Sequence, residues 1–423
     1  MSKYSFCELT EKEFSTFLKD YDDKNWMQSV GVAKLRQDYG SEIKYLGVKK
    51  GNKIISASLF TITTTFKGKK TFYSPRGFLI DYDDKELLSF FTEELKKYTK
   101  EHNGLMIKID PVVVYQMRDI DGKCKDGVIP NDKVINTLKE LGYEHYGFNT
   151  DIVNTQSRWN FILDLNVPYE ELTTRFVKST RKNIIETYDK GICVRKGTKK
   201  DLDSIEDILI KTAERKGFNA RTLEYYKKMY DYLGSDVVFY IAYLDKKKYL
   251  EQSERRLEDA KKSLEEVKEK MTHDMVGNKL KKQEEIATNR ISKCEEELKS
   301  AKEFAKTIDD HKDIGVLISV KSGKEYITLY SGYLTEYARF TPKYATYNEH
   351  IKDAYKFKIP YVNFYGISGI FDPKDENYGM YEFKRGFGGE VQELIGEFTY
   401  PVSKWYHVYM MLRKIKRKLS GRG

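Results

Sequence analysis

Between residues 246 and 311 the chain has 17 basic and 16 acidic side chains, a single Gly and no Pro. Within that run, apolar or small residues recur at Leu250, Ser253, Leu257, Ala260, Leu264, Val267 and Met271, in steps of three and four. That is a heptad seam. The pattern breaks at Val276-Gly277-Asn278 and resumes at Leu280, Ala287, Ile291, Cys294, Leu298, Ala301, Ala305 and Ile308. The spacing predicts an antiparallel coiled-coil hairpin whose arms, of about 28 residues at 1.5 Å each, are about 42 Å long. A break at Gly-Asn so near the middle is not expected of one continuous solvated helix.

The flanks of the hairpin set its context. Residues 237–243 and 314–320 are rich in branched and aromatic side chains and read as strands. The hairpin therefore occupies the place of a β-turn. Without it, a meander remains: two strands, the turn Lys321-Ser322-Gly323-Lys324, a strand over 326–330, an apolar helix-like run and a strand over 361–365. On this reading the arms add little to the core, and the chain should fold without residues 246–311.

The first third repeats this grammar. Strands over 45–48, 54–66 and 71–73 are separated by Gly51-Asn52-Lys53 and Lys67-Gly68-Lys69. A helix with Leu87, Leu88, Phe91, Leu95 and Tyr98 on one stripe follows, then a strand over 105–109 closing at Asp110-Pro111. Two α/β (α+β) units of one design stand in series. The expected division is unit one over 1–154, unit two over 155–245 and 312–389, the coiled coil over 246–311, and a C-terminal segment over 390–423 that returns to unit one.

Composition narrows the function. The four Cys form no Cys-x-x-Cys pair, and none of the six His is spaced to place two metal ligands on one helical face, so no metal site is expected. No Gly-x-Ser-x-Gly elbow and no phosphate-binding Gly-x-x-x-x-Gly-Lys-Ser/Thr loop occurs. The first residues lack an apolar signal core and no 18-residue apolar stretch exists, which suits a cytoplasmic protein. Net charge is +10, of which seven cations lie after Glu397 with no acid among them: Lys404, Arg413, Lys414, Lys416, Arg417, Lys418 and Arg422. In this tail Trp405, Val408, Tyr409, Leu412, Ile415 and Leu419 share a helical stripe, expected to pack on unit one and leave the basic side for an anionic membrane surface.

The densest group of glycines and functional side chains is Tyr365-Gly366-Ile367-Ser368-Gly369 with Tyr381-Glu382-Phe383-Lys384-Arg385-Gly386-Phe387-Gly388-Gly389. Glycines at strand ends would let a substrate approach the backbone, and a Lys among aromatics can face developing negative charge. An ordinary turn with a strand-capping surface lysine is the plainer reading. With Trp26-Met27-Gln28-Ser29, Tyr73-Ser74-Pro75-Arg76-Gly77-Phe78, Lys108-Ile109-Asp110-Pro111, Arg221-Thr222-Leu223-Glu224-Tyr225-Tyr226 and Leu329-Tyr330-Ser331-Gly332, these motifs occur in the order found in one family. The chain resembles the FemA/FemB/MurM (FemABX) aminoacyltransferases that build peptidoglycan bridges.

The resemblance implies two tandem GNAT-like acyltransferase units. It also implies transfer of an amino acid from aminoacyl-tRNA to the amine at position three of the stem peptide, carried by lipid II or UDP-MurNAc-pentapeptide. No cofactor is implied, because aminoacyl-tRNA is a co-substrate. By the same resemblance Lys384, beside Phe383, supports the oxyanion and Asp110 orients the acceptor amine or takes its proton; a structural turn at Asp110-Pro111 is the alternative. Arg221, Tyr225 and Tyr330 match residues that hold the acceptor, and Arg36 stands where the family usually has Lys, with Lys34 nearby. The hairpin resembles the tRNA-reaching arm of seryl-tRNA synthetase, but its balanced charge equally suits a spacer or a partner-docking surface. Rival readings are an acetyl-CoA-dependent N-acyltransferase, whose pyrophosphate loop Arg385-Gly386-Phe387-Gly388-Gly389-Glu390 fails to match at its last position, and a non-catalytic coiled-coil scaffold.

Overall fold

The computed structural model of the protein describes residues 3–150, 156–273 and 277–419. Two sheets organise it. The first has the spatial order Ser5–Glu8, Glu42–Lys50, Lys53–Phe66, Lys69–Ser74, Gly104–Ile109, Phe398–Pro401, Glu144–His145. The second runs Val114–Arg118, Glu390–Leu394, Trp159–Asp164, Tyr361–Ile367, Glu325–Tyr333, His311–Ser322, Val237–Asp245, Ile192–Lys196. Each is antiparallel except for one parallel pair, Lys69–Ser74 with Gly104–Ile109 and Glu325–Tyr333 with Tyr361–Ile367.

A parallel pair needs a crossover, and in both sheets a helix supplies it. Lys85–Glu101 begins where the Asp84 side chain accepts the Leu87 N–H, and it buries Leu87, Leu88, Phe91 and Leu95 on the first sheet. Pro342–Lys356 carries Pro at its first turn, where the missing N–H costs nothing, and buries Ala345, Tyr347, Ile351 and Ala354 on the second. The paired α/β units expected from the sequence are present.

The chain does not divide between the sheets at one point. Val114–Arg118, inside the 1–154 segment, pairs antiparallel with Glu390–Leu394 at the edge of the second sheet. Phe398–Pro401 then crosses back to lie between Gly104–Ile109 and Glu144–His145. The buried Glu393 carboxylate fixes the exchange by accepting from Arg158 and Arg118. Lys108 and Glu397 add an ion pair of 2.7 Å with little exposure. The stretch 151–155, where the division was expected, lies outside the described residues.

Helices Lys246–His273 and Asn278–Ala305 fill the span between two paired strands, Val237–Asp245 and His311–Ser322. Ion pairs Glu254–Lys302 and Arg256–Glu297 show that they run antiparallel. Ser253 and Ala260 on one helix, and Ala287, Cys294 and Ala301 on the other, are buried at seven-residue spacing, so small side chains line the contact. The expectation that the arms add little to the core is corrected at their base. Tyr249, Ala301 and Ile308 join the core of the second sheet, and Tyr249 packs edge-on against Phe304 and Phe340. Val276, part of the expected break, is outside the described residues.

The C-terminal helix, Trp405–Leu419, also departs from expectation. Its attachment is made by Tyr406, which is buried with Leu105 and Met106, by Trp405 and Tyr409 against Phe66, and by Met410 against the Tyr146 hydroxyl. Among the described side chains of the helix, those of the first two turns dock. Further along, Leu412 and Ile415 of the expected packing stripe are 45% and 47% exposed, and Leu419 lies outside the described side chains. Among the described residues no helix is long and apolar enough to cross a membrane.

Candidate active site

Lys384 lies in the last turn of the helix Tyr378–Arg385 and is 4% exposed. It is not the surface lysine at a strand end that the plainer reading supposes. Its Nζ donates to the carbonyls of Gly366, at 2.6 Å, and Tyr365, at 3.2 Å. A gap in the sheet creates this seat. Tyr361–Ile367 pairs with its parallel neighbour only as far as Asn363, and its register with Trp159–Asp164 slips between Asn363 and Gly366. Tyr365, within the slip, has a φ of 60°.

Desolvation by burial, with the Lys343 cation adding to it, pulls the Lys384 ammonium down to about 7. Lys343, on the first turn of its helix, is itself lowered to about 8 by burial and by Lys216 and Arg215. Its Nζ stands 3.7 Å from the centre of the Phe383 ring. The Phe383 ring that carries this cation is packed in turn against Tyr344, Tyr347 and Phe387. Gly388 and Gly389 serve close packing, whereas Gly379 faces open space. A Cβ on Gly388, at φ 72°, would sit 2.5 Å from the Arg175 carbonyl, and one on Gly389 would sit 2.4 Å from that of Ile162.

Asp110 is 5% exposed and follows directly on the parallel strand Gly104–Ile109. The Arg76 backbone N–H donates to it at 2.7 Å and the Tyr73 hydroxyl at 2.9 Å, so residues at the ends of the two parallel strands converge on one carboxylate. Burial pushes the Asp110 carboxyl up to about 6, against the pull of the Arg76 charge and N–H. A small cavity of about 20 Å³ adjoins it, lined also by Arg76, Gln156, Ser157 and Glu397. A larger cleft of about 560 Å³, walled by Asp22, Arg175, Lys324 and Glu325, includes neither Asp110 nor Lys384 in its lining.

Tyr365 connects the two centres. Its carbonyl receives Lys384, its hydroxyl donates to Gln156 at 2.6 Å, and the Arg76 guanidinium lies 5.8 Å from its ring centre. Arg76 in turn holds Asp110 and donates to the Ser157 carbonyl at 2.7 Å. Sequence reasoning passed over Arg76 and Tyr365 as individual residues, although both lie in motifs that carry the resemblance. Nothing in the sequence marked Lys343.

The remaining candidates form a third cluster. The Tyr225 and Tyr330 hydroxyls are 3.2 Å apart, and the Arg221 guanidinium lies 5.1 Å from the Tyr225 ring centre. Thr222 caps the helix Leu223–Leu233 and positions Tyr225 on its first turn. Burial, and then Tyr330, raise the Tyr225 phenol, while Arg221 and Arg36 oppose the shift. Arg36 reaches this cluster because its helix, Val30–Asp38, packs on Leu223–Leu233 so closely that a Cβ on Gly31 would be 2.5 Å from the Tyr232 carbonyl. Lys34 turns away to pair with Glu11 at 3.1 Å. Two arginines and two phenols on a partly exposed surface suit phosphate oxygens.

Residues 9–414 match the FemAB family. The aminoacyltransferase FemB of Staphylococcus epidermidis is 31% identical over 426 residues, covering 98% of this chain and 99% of that protein. FemA of the same organism is 29% identical over 420 residues, covering 97% and 100%. The crystal structure of FemX superposes with a TM-score of 0.78 at 22% identity, over 96% of this chain and 99% of that one. Two sheets of one design, a match spanning nearly every described residue and full-length relatives of one activity lead to the same assignment: the chain belongs to the FemAB family of aminoacyltransferases.

Proposed function

We propose that this enzyme transfers an amino acid from aminoacyl-tRNA onto the side-chain amine at position three of the peptidoglycan stem peptide, with lipid II favoured over UDP-MurNAc-pentapeptide as acceptor. The observation that carries the reading is the buried Lys384 joined through Tyr365 and Arg76 to the buried Asp110. The amine lone pair attacks the ester carbonyl carbon, a C–N bond forms and the carbonyl oxygen becomes an oxyanion. Collapse breaks the C–O bond to the ribose, and the proton lost by the amine ends on the ribose oxygen. Lys384, seated at a water-poor site beside Phe383, stabilises that oxyanion. Asp110, with its carboxyl near 6, is mostly ionised at neutral pH and serves to orient the amine and accept its proton.

Arg36, Arg221, Tyr225 and Tyr330 bind the acceptor's phosphates, which are unchanged between ground and transition state. The ester is already activated, so the reaction calls on no cofactor. The enzyme works on the cytoplasmic side, at the inner face of the plasma membrane where lipid II is made, and its helical hairpin contacts tRNA or a partner protein. Incubation with mixed charged tRNAs and either lipid II or UDP-MurNAc-pentapeptide, followed by mass analysis of the muropeptide, tests the reading. One added aminoacyl residue is the expected result. Modification only when acetyl-CoA is supplied would replace it with N-acetyl transfer.

A further inference from the structure

The C-terminal helix has two apolar faces, and only one is covered. Trp405, Tyr406, Tyr409 and Met410 attach it to the first sheet. Met411, Leu412 and Ile415 project elsewhere, 57%, 45% and 47% exposed, and on a 3.6-residue helix they fall with the half-buried Val408 on one stripe of about 100°. Lys414 and Lys416 stand exposed on the two flanks of this stripe, Arg413 lies behind it on the side of Tyr406 and Tyr409, and none of the three forms an ion pair with a described carboxylate. Lys67, which lies 4.0 Å from the Trp405 ring centre, adds a further cation at the root of the helix.

We propose that this second face is a membrane-docking surface, seating Met411, Leu412 and Ile415 at the headgroup and acyl boundary of an anionic bilayer while Lys414 and Lys416 meet lipid phosphates. An apolar stripe edged by unpaired cations on a helix too short and too charged to span is the composition of an interfacial helix. Charge selects this occupant: a second copy of the chain would bring the same cations face to face, and an RNA would leave the apolar stripe uncovered. The inference rests on the proposed function only for its purpose, which is to hold the enzyme where a lipid-linked acceptor lies.

Sedimentation with vesicles alone separates the two. The full chain is mixed with vesicles of phosphatidylcholine containing 30% phosphatidylglycerol, without tRNA or acceptor, and with pure phosphatidylcholine vesicles in parallel. The wild type should pellet with the anionic vesicles only. The variant Lys414→Gln, Lys416→Gln should partition about 25-fold less, at roughly fivefold per cation. The variant Met411→Ser, Leu412→Ser, Ile415→Ser should lose about tenfold or more at low salt, which a purely electrostatic patch would not. Both variants keep Tyr406 and Met410 and should melt like the wild type. Equal pelleting with both vesicle types, or unaltered pelleting of the apolar variant, overturns the proposal. So does a wild-type dimer that the apolar variant dissociates. Vesicle binding intact in a protein that transfers no amino acid to either acceptor would overturn the proposed function and leave this surface standing.

Discussion

Arg76 donates its backbone N–H to the Asp110 carboxylate at 2.7 Å while its guanidinium lies near the ring of Tyr365, the residue whose carbonyl seats Lys384. One arginine of the first sheet's loop thereby fixes the buried carboxylate and, through a tyrosine of the second sheet, the seat of the buried lysine. The pH behaviour of both groups follows from their burial.

Transfer should follow a bell-shaped pH profile in single-turnover measurements. The rising limb belongs to ionisation of Asp110 near 6 and the falling limb to loss of the Lys384 proton near 7. Asp110→Asn should remove the rising limb and lower the plateau by about 10²-fold. A rising limb that survives in this variant places the base elsewhere.

Lys384 should cost the fold stability at neutral pH. Its folded pKa is depressed below the unfolded value, so its contribution is favourable above about 10.5, declines as pH falls towards 7 and is flat below that. Lys384→Met should therefore stabilise the protein at pH 7, by on the order of 2 kcal/mol after the two orphaned carbonyls are counted. The gain should shrink in melts at pH 10. A gain independent of pH would mean that the buried lysine keeps its proton and that its pKa is not lowered.

Shortening the hairpin should be harmless only above its base. Removing residues 258–296 and joining the stubs with a short turn should leave the thermal melt almost unchanged. Removing residues 246–311 takes Tyr249, Phe304 and Ile308 out of the core and, at roughly 3–5 kcal/mol for each large aromatic, should unfold much of the second unit. Equal melts for the two deletions would show that the base is not structural.

Glu393 should be the costliest single carboxylate to remove. It accepts from Arg118 and Arg158 where the exchanged strands meet, and Glu393→Ala would strand Arg158, itself 4% exposed. A loss of about 3–5 kcal/mol in urea unfolding is expected. A loss below about 1 kcal/mol would mean that water reaches the pair.

What the sequence disclosed, and what it hid, divides along the range of the interactions. The hairpin was legible because its seams are periodic within each arm, and Asp110 because Pro111 and the preceding branched residues mark a strand end. The strand Phe398–Pro401 was not, since four residues ending in Pro become a strand only when Gly104–Ile109 and Glu144–His145 accept them. Val114–Arg118 shows nothing locally to say which sheet it joins. Lys384 reads as a turn residue because its helix is only eight residues long and contains Gly379, and its lowered pKa depends on burial and on Lys343, 41 positions away. The tail's stripe was legible, but among its described side chains only those of the first two turns dock, which no periodicity records.

The most direct test of the catalytic account is single-turnover transfer by Lys384→Met at saturating charged tRNA, with acceptor affinity measured on the same protein. If the lysine meets an oxyanion that exists only in the transition state, the rate should fall by about 10²- to 10³-fold with acceptor binding nearly unchanged. Arg221→Ala and Tyr330→Phe should do the reverse, weakening acceptor binding with little effect on the bound-state rate. A Lys384→Met enzyme that loses acceptor binding but keeps its single-turnover rate, or that changes in neither, contradicts the account.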